Sequence, residues 1–160
     1  MNQGGKANEF GKRLESLVET TLQTHGYINL CNQVPEKQRL ETLHYAIVPK
    51  RYGKQVYIGK GIYETDIKVD FYVVGLPTIP HRLIIECKWQ QTKGSVDEKF
   101  PYLNLNILEH YLEKTIVIIA GTSAREGAIK WFENRVKDNP NLLAVYNSMD
   151  SFMVWANRNF

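Results

Sequence analysis

The chemistry legible in this chain rests on three residues in two short stretches: Asp70 in KVDFYVVG (68–75), and Glu86 and Lys88 in LIIECKWQ (83–90). Side chains on a strand alternate between its two faces. Over 83–89, Leu83, Ile85, Cys87 and Trp89 therefore share one face, and Ile84, Glu86 and Lys88 the other. Over 67–74, the same alternation groups Ile67, Val69, Phe71 and Val73 against Lys68, Asp70, Tyr72 and Val74. Fifteen residues separate Asp70 from Glu86, which suits two antiparallel strands joined by a wide turn and brings Asp70 beside Glu86 and Lys88. Two adjacent carboxylates repel and raise each other's pKa. A divalent cation removes that penalty, and hard cations such as Mg²⁺ take carboxylate oxygens, a backbone carbonyl and waters. A neighbouring lysine can hold an attacking water or stabilise charge on a phosphate. The pattern is that of a metal-assisted phosphodiester hydrolysis site. A glutamate and a lysine at a strand end are more often a solvated pair worth less than about 1 kcal/mol. Ile84 on the same face, and an aspartate at the matching place one strand earlier, set this pair apart.

The surrounding pattern supplies the elements that must position these residues. Apolar residues at helical spacing predict a helix over 7–24, stopped at Gly26. Strands are expected at 27–31, 43–48, 67–74, 83–89, 115–120 and 142–146, with a hairpin of 55–58 and 62–65 around Gly59-Lys60-Gly61. Ser95 and Glu98 fit a capping box opening a helix to about residue 113, kinked or broken at Pro101. Further helices are expected over 124–137 and 149–156. The order predicts a single α/β domain over 1–160, a mixed central β-sheet flanked by α-helices. Two cysteines offer no disulfide framework, and no apolar run is long enough to span a membrane, so a cytoplasmic protein is expected. The net charge of +3 leans weakly toward polyanions. The histidines show no metal-ligand spacing, and neither a P-loop nor G-x-S-x-G occurs.

Taken in order, FGKRLESLVETTLQTHGY, KVDFYVVG, LIIECKWQ and the helix after Ser95 resemble the PD-(D/E)xK nuclease superfamily. That superfamily includes many type II restriction endonucleases, archaeal Holliday-junction resolvases and some intron homing endonucleases. The resemblance implies a restriction-endonuclease-like core. It implies Asp70 and Glu86 as metal-binding carboxylates, the Cys87 backbone carbonyl as a third ligand, Lys88 as the catalytic lysine and Glu15 as the supporting helix glutamate. Val69 stands where many members have proline. Asp66, on Asp70's face by alternation, is a rival ligand, and Glu9 and Glu19 are rivals of Glu15. Gln90 and Gln91 match positions that touch the scissile phosphate or a water.

The implied activity is a Mg²⁺-dependent endonuclease of double-stranded DNA, with Mn²⁺ able to substitute, working as a homodimer of the type II restriction kind. A homing endonuclease, a junction resolvase and a non-catalytic DNA-binding domain are the alternatives. For the DNA surface, 49–63 carries Lys50, Arg51, Lys54 and Lys60, no acid, and three interleaved tyrosines. Lysine and arginine neutralise phosphates, and tyrosine can stack. Lys93 lies before the capped helix, and residues 121–125 resemble an anion-binding turn.

Overall fold

The computed structural model describes residues 3–90, 97–121 and 126–160. Within them, helix α1 (Gln3–Thr24) leads into the short strand β1 (Ile28–Asn29). A 3₁₀ turn (Glu36–Gln38) and helix α2 (Arg39–Tyr45) follow. Then come β2 (Arg51–Lys60), β3 (Asp66–Val74), β4 (Arg82–Trp89), α3 (Lys99–Glu109), β5 (Thr115–Ala120), α4 (Glu126–Arg135), β6 (Leu142–Tyr146) and α5 (Met149–Asn159). The strands form one six-stranded sheet in sequence order. β2, β3 and β4 are antiparallel neighbours, while the β1–β2, β4–β5 and β5–β6 pairs are parallel. Residues 71–74 of β3 pair with 82–85 of β4 in the register that the spacing predicts.

The sheet has two apolar layers. Leu14, Val18 and Leu22, at helical spacing on α1, pack with Phe152 and Ala156 of α5 against Phe71, Val73, Leu83, Ile85, Ile116 and Ile118. Leu43 of α2, Phe100, Leu103 and Ile107 of α3 and Phe132 of α4 cover Val56, Val69, Tyr72, Ile84 and Val117 on the other face. Each fully buried aliphatic side chain contributes roughly 1.5–3 kcal/mol, so the two layers hold the central strands firmly.

Several expectations need correction. Residues 43–48 do not form a strand. Arg39–Tyr45 is helical, because Leu40 and Leu43, three apart, both face the core, and Thr42 Oγ1 bonds back to the Gln38 carbonyl. The helix's open carbonyls are taken by Arg51, whose Nε donates to Leu43 O (2.6 Å) and whose other nitrogens reach Val48 O (2.8 Å) and His44 O (3.5 Å). The hairpin does not turn at Gly59-Lys60-Gly61. β2 runs through to Lys60, with a bulge near Gly59, and the turn is 61–65. α3 starts at Lys99, so Pro101 falls in its first turn, where an N–H has no partner within the helix and no break is required. The Ser95 cap and residues 122–125 lie outside the described residues.

The face pattern predicted for β3 also fails at one point. Ile67 and Val69 share a core layer with Tyr72 and Val74, while Phe71 and Val73 face the other way. The alternation changes phase at Asp70. β2 changes phase opposite it, where Gln55 adopts φ +49°, so the ladder passes from Lys54–Phe71 straight to Val56–Val69 without losing register.

Candidate active site

That double irregularity aims the Asp70 carboxylate along the sheet toward β4. Asp70 Oδ2 accepts the Cys87 backbone N–H at 2.8 Å, and Oδ1 accepts Gln55 Nε2 at 3.3 Å. A strand residue's N–H and C=O point to the same side, so the Cys87 carbonyl faces Asp70 as well. Glu86, one residue earlier, points to the α3 face and is only 3% exposed. Lys88 lies between the two acids, its Nζ 3.4 Å from Glu86 Oε2 and 3.9 Å from Asp70 Oδ2, with its side chain 30% exposed. The three groups line a cleft of about 380 Å³, walled by α3 through Lys99, Phe100, Tyr102, Leu103 and Asn106 and closed by Tyr111.

The charges in this cleft are under strain of an electrostatic kind. Burial, with the nearby Asp70 charge adding to it and Lys88 opposing, pushes the Glu86 carboxyl up to about 7. Burial works against the Lys88 ammonium, but Glu86 and Asp70 outweigh it and raise its pKa. Glu15 is raised first by burial and then by Asp70, with Lys54 and Lys88 pulling the other way, so the middle of α1 shares the field of this cleft. The Cys87 thiol points to the α1 layer and is pushed up by burial.

The rivals are otherwise engaged. Asp66 lines the same cleft at the exposed start of β3, where Lys60 (2.5 Å) and Lys37 (3.5 Å) hold it. Glu9 pairs with Arg13 in the open (3.8 Å). Glu19 accepts bonds from Tyr52 Oη (2.7 Å) and Lys54 Nζ (2.9 Å). Burial raises its pKa, but these two bonds bring it below the usual range.

The basic stretch is dispersed rather than gathered. Arg51 is buried as the cap of α2, Lys50 reaches the His25 carbonyl, Lys54 is tied to Glu19 and Lys60 to Asp66. Lys99 lines the cleft in their place, as does Lys68, although Lys68 is itself paired with Glu36 (3.1 Å). Gln90 is buried at the end of β4, while Gln91 and Lys93 lie outside the described residues. Two participants carried no sequence signal. Tyr111, just past α3, donates a hydrogen bond to Glu86 Oε1, and Gln55 holds Asp70. A lone tyrosine after a helix and a glutamine in a strand have no motif to reveal them.

The donor set suits a hard cation. Two adjacent carboxyls, one of them desolvated, gain most from a positive charge, and a facing carbonyl adds a third oxygen. Among the described residues no group of three or more His, Cys, Asp or Glu is placed to hold a metal ion, so a shell here would rest on Asp70, Glu86, the carbonyl and waters. A family model described as a PD-(D/E)XK nuclease superfamily domain matches residues 6–160. The chain belongs to the PD-(D/E)XK nuclease superfamily. The mixed sheet flanked by helices is this superfamily's restriction-endonuclease-like fold. No curated protein and no solved structure matches the chain. Nucleases of this superfamily generally use divalent metals, and nucleic acid is the substrate class that membership implies. Among the described residues no helix is long and apolar enough to cross a membrane.

Proposed function

We propose that this superfamily member is a Mg²⁺-dependent endonuclease that hydrolyses phosphodiester bonds of duplex DNA, acts as a homodimer as type II restriction enzymes do, and accepts Mn²⁺ in place of Mg²⁺. The observation that carries the reading is the convergence of Asp70, Glu86 and Lys88 in one cleft. Asp70, Glu86 and the Cys87 carbonyl would hold the cation, and Glu15 would anchor its waters. The ion would supply a more acidic bound water and a polarised phosphoryl oxygen. The Lys88 ammonium, held protonated by its two acids, donates hydrogen bonds to the attacking water and offsets charge gathering on the phosphate. Tyr111 and Gln55 fix the rotamers of Glu86 and Asp70. One such site cuts one strand, and a two-fold pair of sites cuts both. Lys99 at the cleft gives phosphates a first contact.

The test is cleavage of supercoiled plasmid, linear duplex and four-way junctions by purified protein in Mg²⁺ or Mn²⁺. Cleavage abolished by Lys88→Ala supports the reading. Intact DNA in every lane sinks it, and salt-dependent binding without metal-induced heat then indicates a binding domain. Sequence-blind junction cutting would instead indicate a resolvase, and a single rare long site a homing enzyme.

A further inference from the structure

Tyr63 is 71% exposed, yet it is not loosely held. Its ring stacks on Tyr102 with centroids 5.1 Å apart and planes 23° from parallel. Tyr102 lines the cleft that also contains Asp70, Glu86 and Lys88. The 61–65 turn carrying Tyr63 is closed by Gly61 N–H to Thr65 O (2.9 Å) and Glu64 N–H to Gly61 O (3.0 Å). It is pinned to α3 by the buried Asn106, whose Oδ1 accepts the Ile62 N–H at 2.9 Å, and Thr65 Oγ1 lies 3.4 Å from Tyr102 Oη. The approach is so close that a Cβ at position 61 would stand 2.6 Å from Asn106 Oδ1 and 2.8 Å from Ile67. A buried asparagine, a glycine and a hydroxyl pair are thus spent on presenting one aromatic face to water, where it buries little. A rigid tyrosine with few torsions to freeze is an efficient stacking surface, and bases stack on such rings regardless of sequence. Lys99 lines the same cleft and complements a phosphate beside a stacked base, while Lys68, also lining it, is paired with Glu36 at 3.1 Å.

We propose that Tyr63 and Tyr102 form a preformed platform for an unpaired nucleobase at the mouth of the cleft. The preferred substrate is then duplex DNA with an unpaired nucleotide next to the bond that is cut. A paired base inside a duplex has both faces covered by its neighbours, so it cannot use the platform, whereas a base in an overhang or gap can. This rests on the nuclease reading and narrows its substrate.

The experiment uses oligonucleotides carrying 2-aminopurine, whose fluorescence is quenched on stacking, with the protein kept in chelator so that nothing is cut. The probes are a blunt duplex, the same duplex with the fluorescent base in an overhang, and a single strand. The wild type should bind the overhang roughly tenfold more tightly than the blunt duplex and quench it. Tyr63→Leu should lose both the preference and the quench, and Tyr63→Trp should keep them, with all three proteins melting alike. Equal affinity for overhang and blunt duplex, no quench, or a Tyr63→Leu protein indistinguishable from wild type overturns the platform. Parallel incubations in Mg²⁺ and Mn²⁺ keep the two ideas apart. Blunt and overhang duplexes cut alike defeat the platform alone, whereas stacking without cleavage in any metal defeats the nuclease reading.

Discussion

Residues 111–113, between α3 and β5, take part in two tyrosine–glutamate pairs that run in opposite directions. Tyr111 donates to Glu86 on β4, and Tyr72 on β3 donates to Glu113 at 2.8 Å. The second pair is balanced. Arg82 lies 3.6 Å from Glu113, and His44 Nε2 reaches the same tyrosine hydroxyl at 2.9 Å, so α2, β3, β4 and the 111–113 segment are tied by a charge-matched set open to water at one end. The first pair is unbalanced. Its glutamate is desolvated, a second carboxylate stands beside it, and one lysine serves both. The same chemical pair thus stands in two settings: where its charge is answered it fastens the fold, and where it is left short of positive charge it leaves a deficit that a cation would relieve.

The largest effect expected from disturbing this contrast is on catalysis. Lys88→Ala should lower single-turnover cleavage by roughly 10² to 10³-fold, as loss of one charge-stabilising donor does elsewhere, while Tyr72→Phe leaves the rate unchanged. Loss of cleavage in both variants would erase the distinction.

The next effect is on stability against pH. Glu86 rises from an ordinary 4.5 to about 7 on folding, so the folded chain binds this proton more tightly than the unfolded one. The group's cost is absent below about pH 4.5, grows as pH climbs through 7, and then stays constant at about 3 kcal/mol. Urea titrations of metal-free protein at pH 5 and pH 8 should show this loss. Glu86→Gln should remove most of it, and millimolar Mg²⁺ at pH 8 should stabilise the wild type but not the variant.

Tyr72→Phe comes third. It leaves Glu113 and His44 without their shared hydroxyl and should cost about 1–2 kcal/mol, read as a lower urea midpoint at unchanged slope. The smallest effect belongs to Lys60→Ala, which removes an exposed pair with Asp66 and should leave the urea midpoint essentially unchanged.

The contrast also explains what could be read in advance. β3 and β4, and the meeting of Asp70 with Glu86 and Lys88, followed from the apolar strand pattern and from the fifteen-residue spacing that sets the register, whereas the break in alternation at Asp70 has no sequence signal of its own. α2 was hidden because Leu43 to Val48 is short and apolar, a pattern that strand and helix share. Misreading it also hid Arg51, which looks like a phosphate contact until there is a helix end for it to cap. Tyr111, Gln55 and the balanced His44–Tyr72–Glu113–Arg82 set depend on long-range contacts between residue types that carry no local pattern. The tie of Lys54 to Glu19 is of the same kind, and it disperses a charge run that looked continuous along the chain.

The paired irregularity at Gln55 and Asp70 has one more consequence. It acts as two compensating frameshifts in the order in which side chains face up and down. Excising either residue alone would turn every later position on its strand to the opposite layer, swapping Phe71 and Val73 into the layer of α2, α3 and α4, or Val56 and Ile58 into the layer of α1 and α5. A point substitution of the aspartate keeps both strands in phase, whereas a single deletion at either place does not.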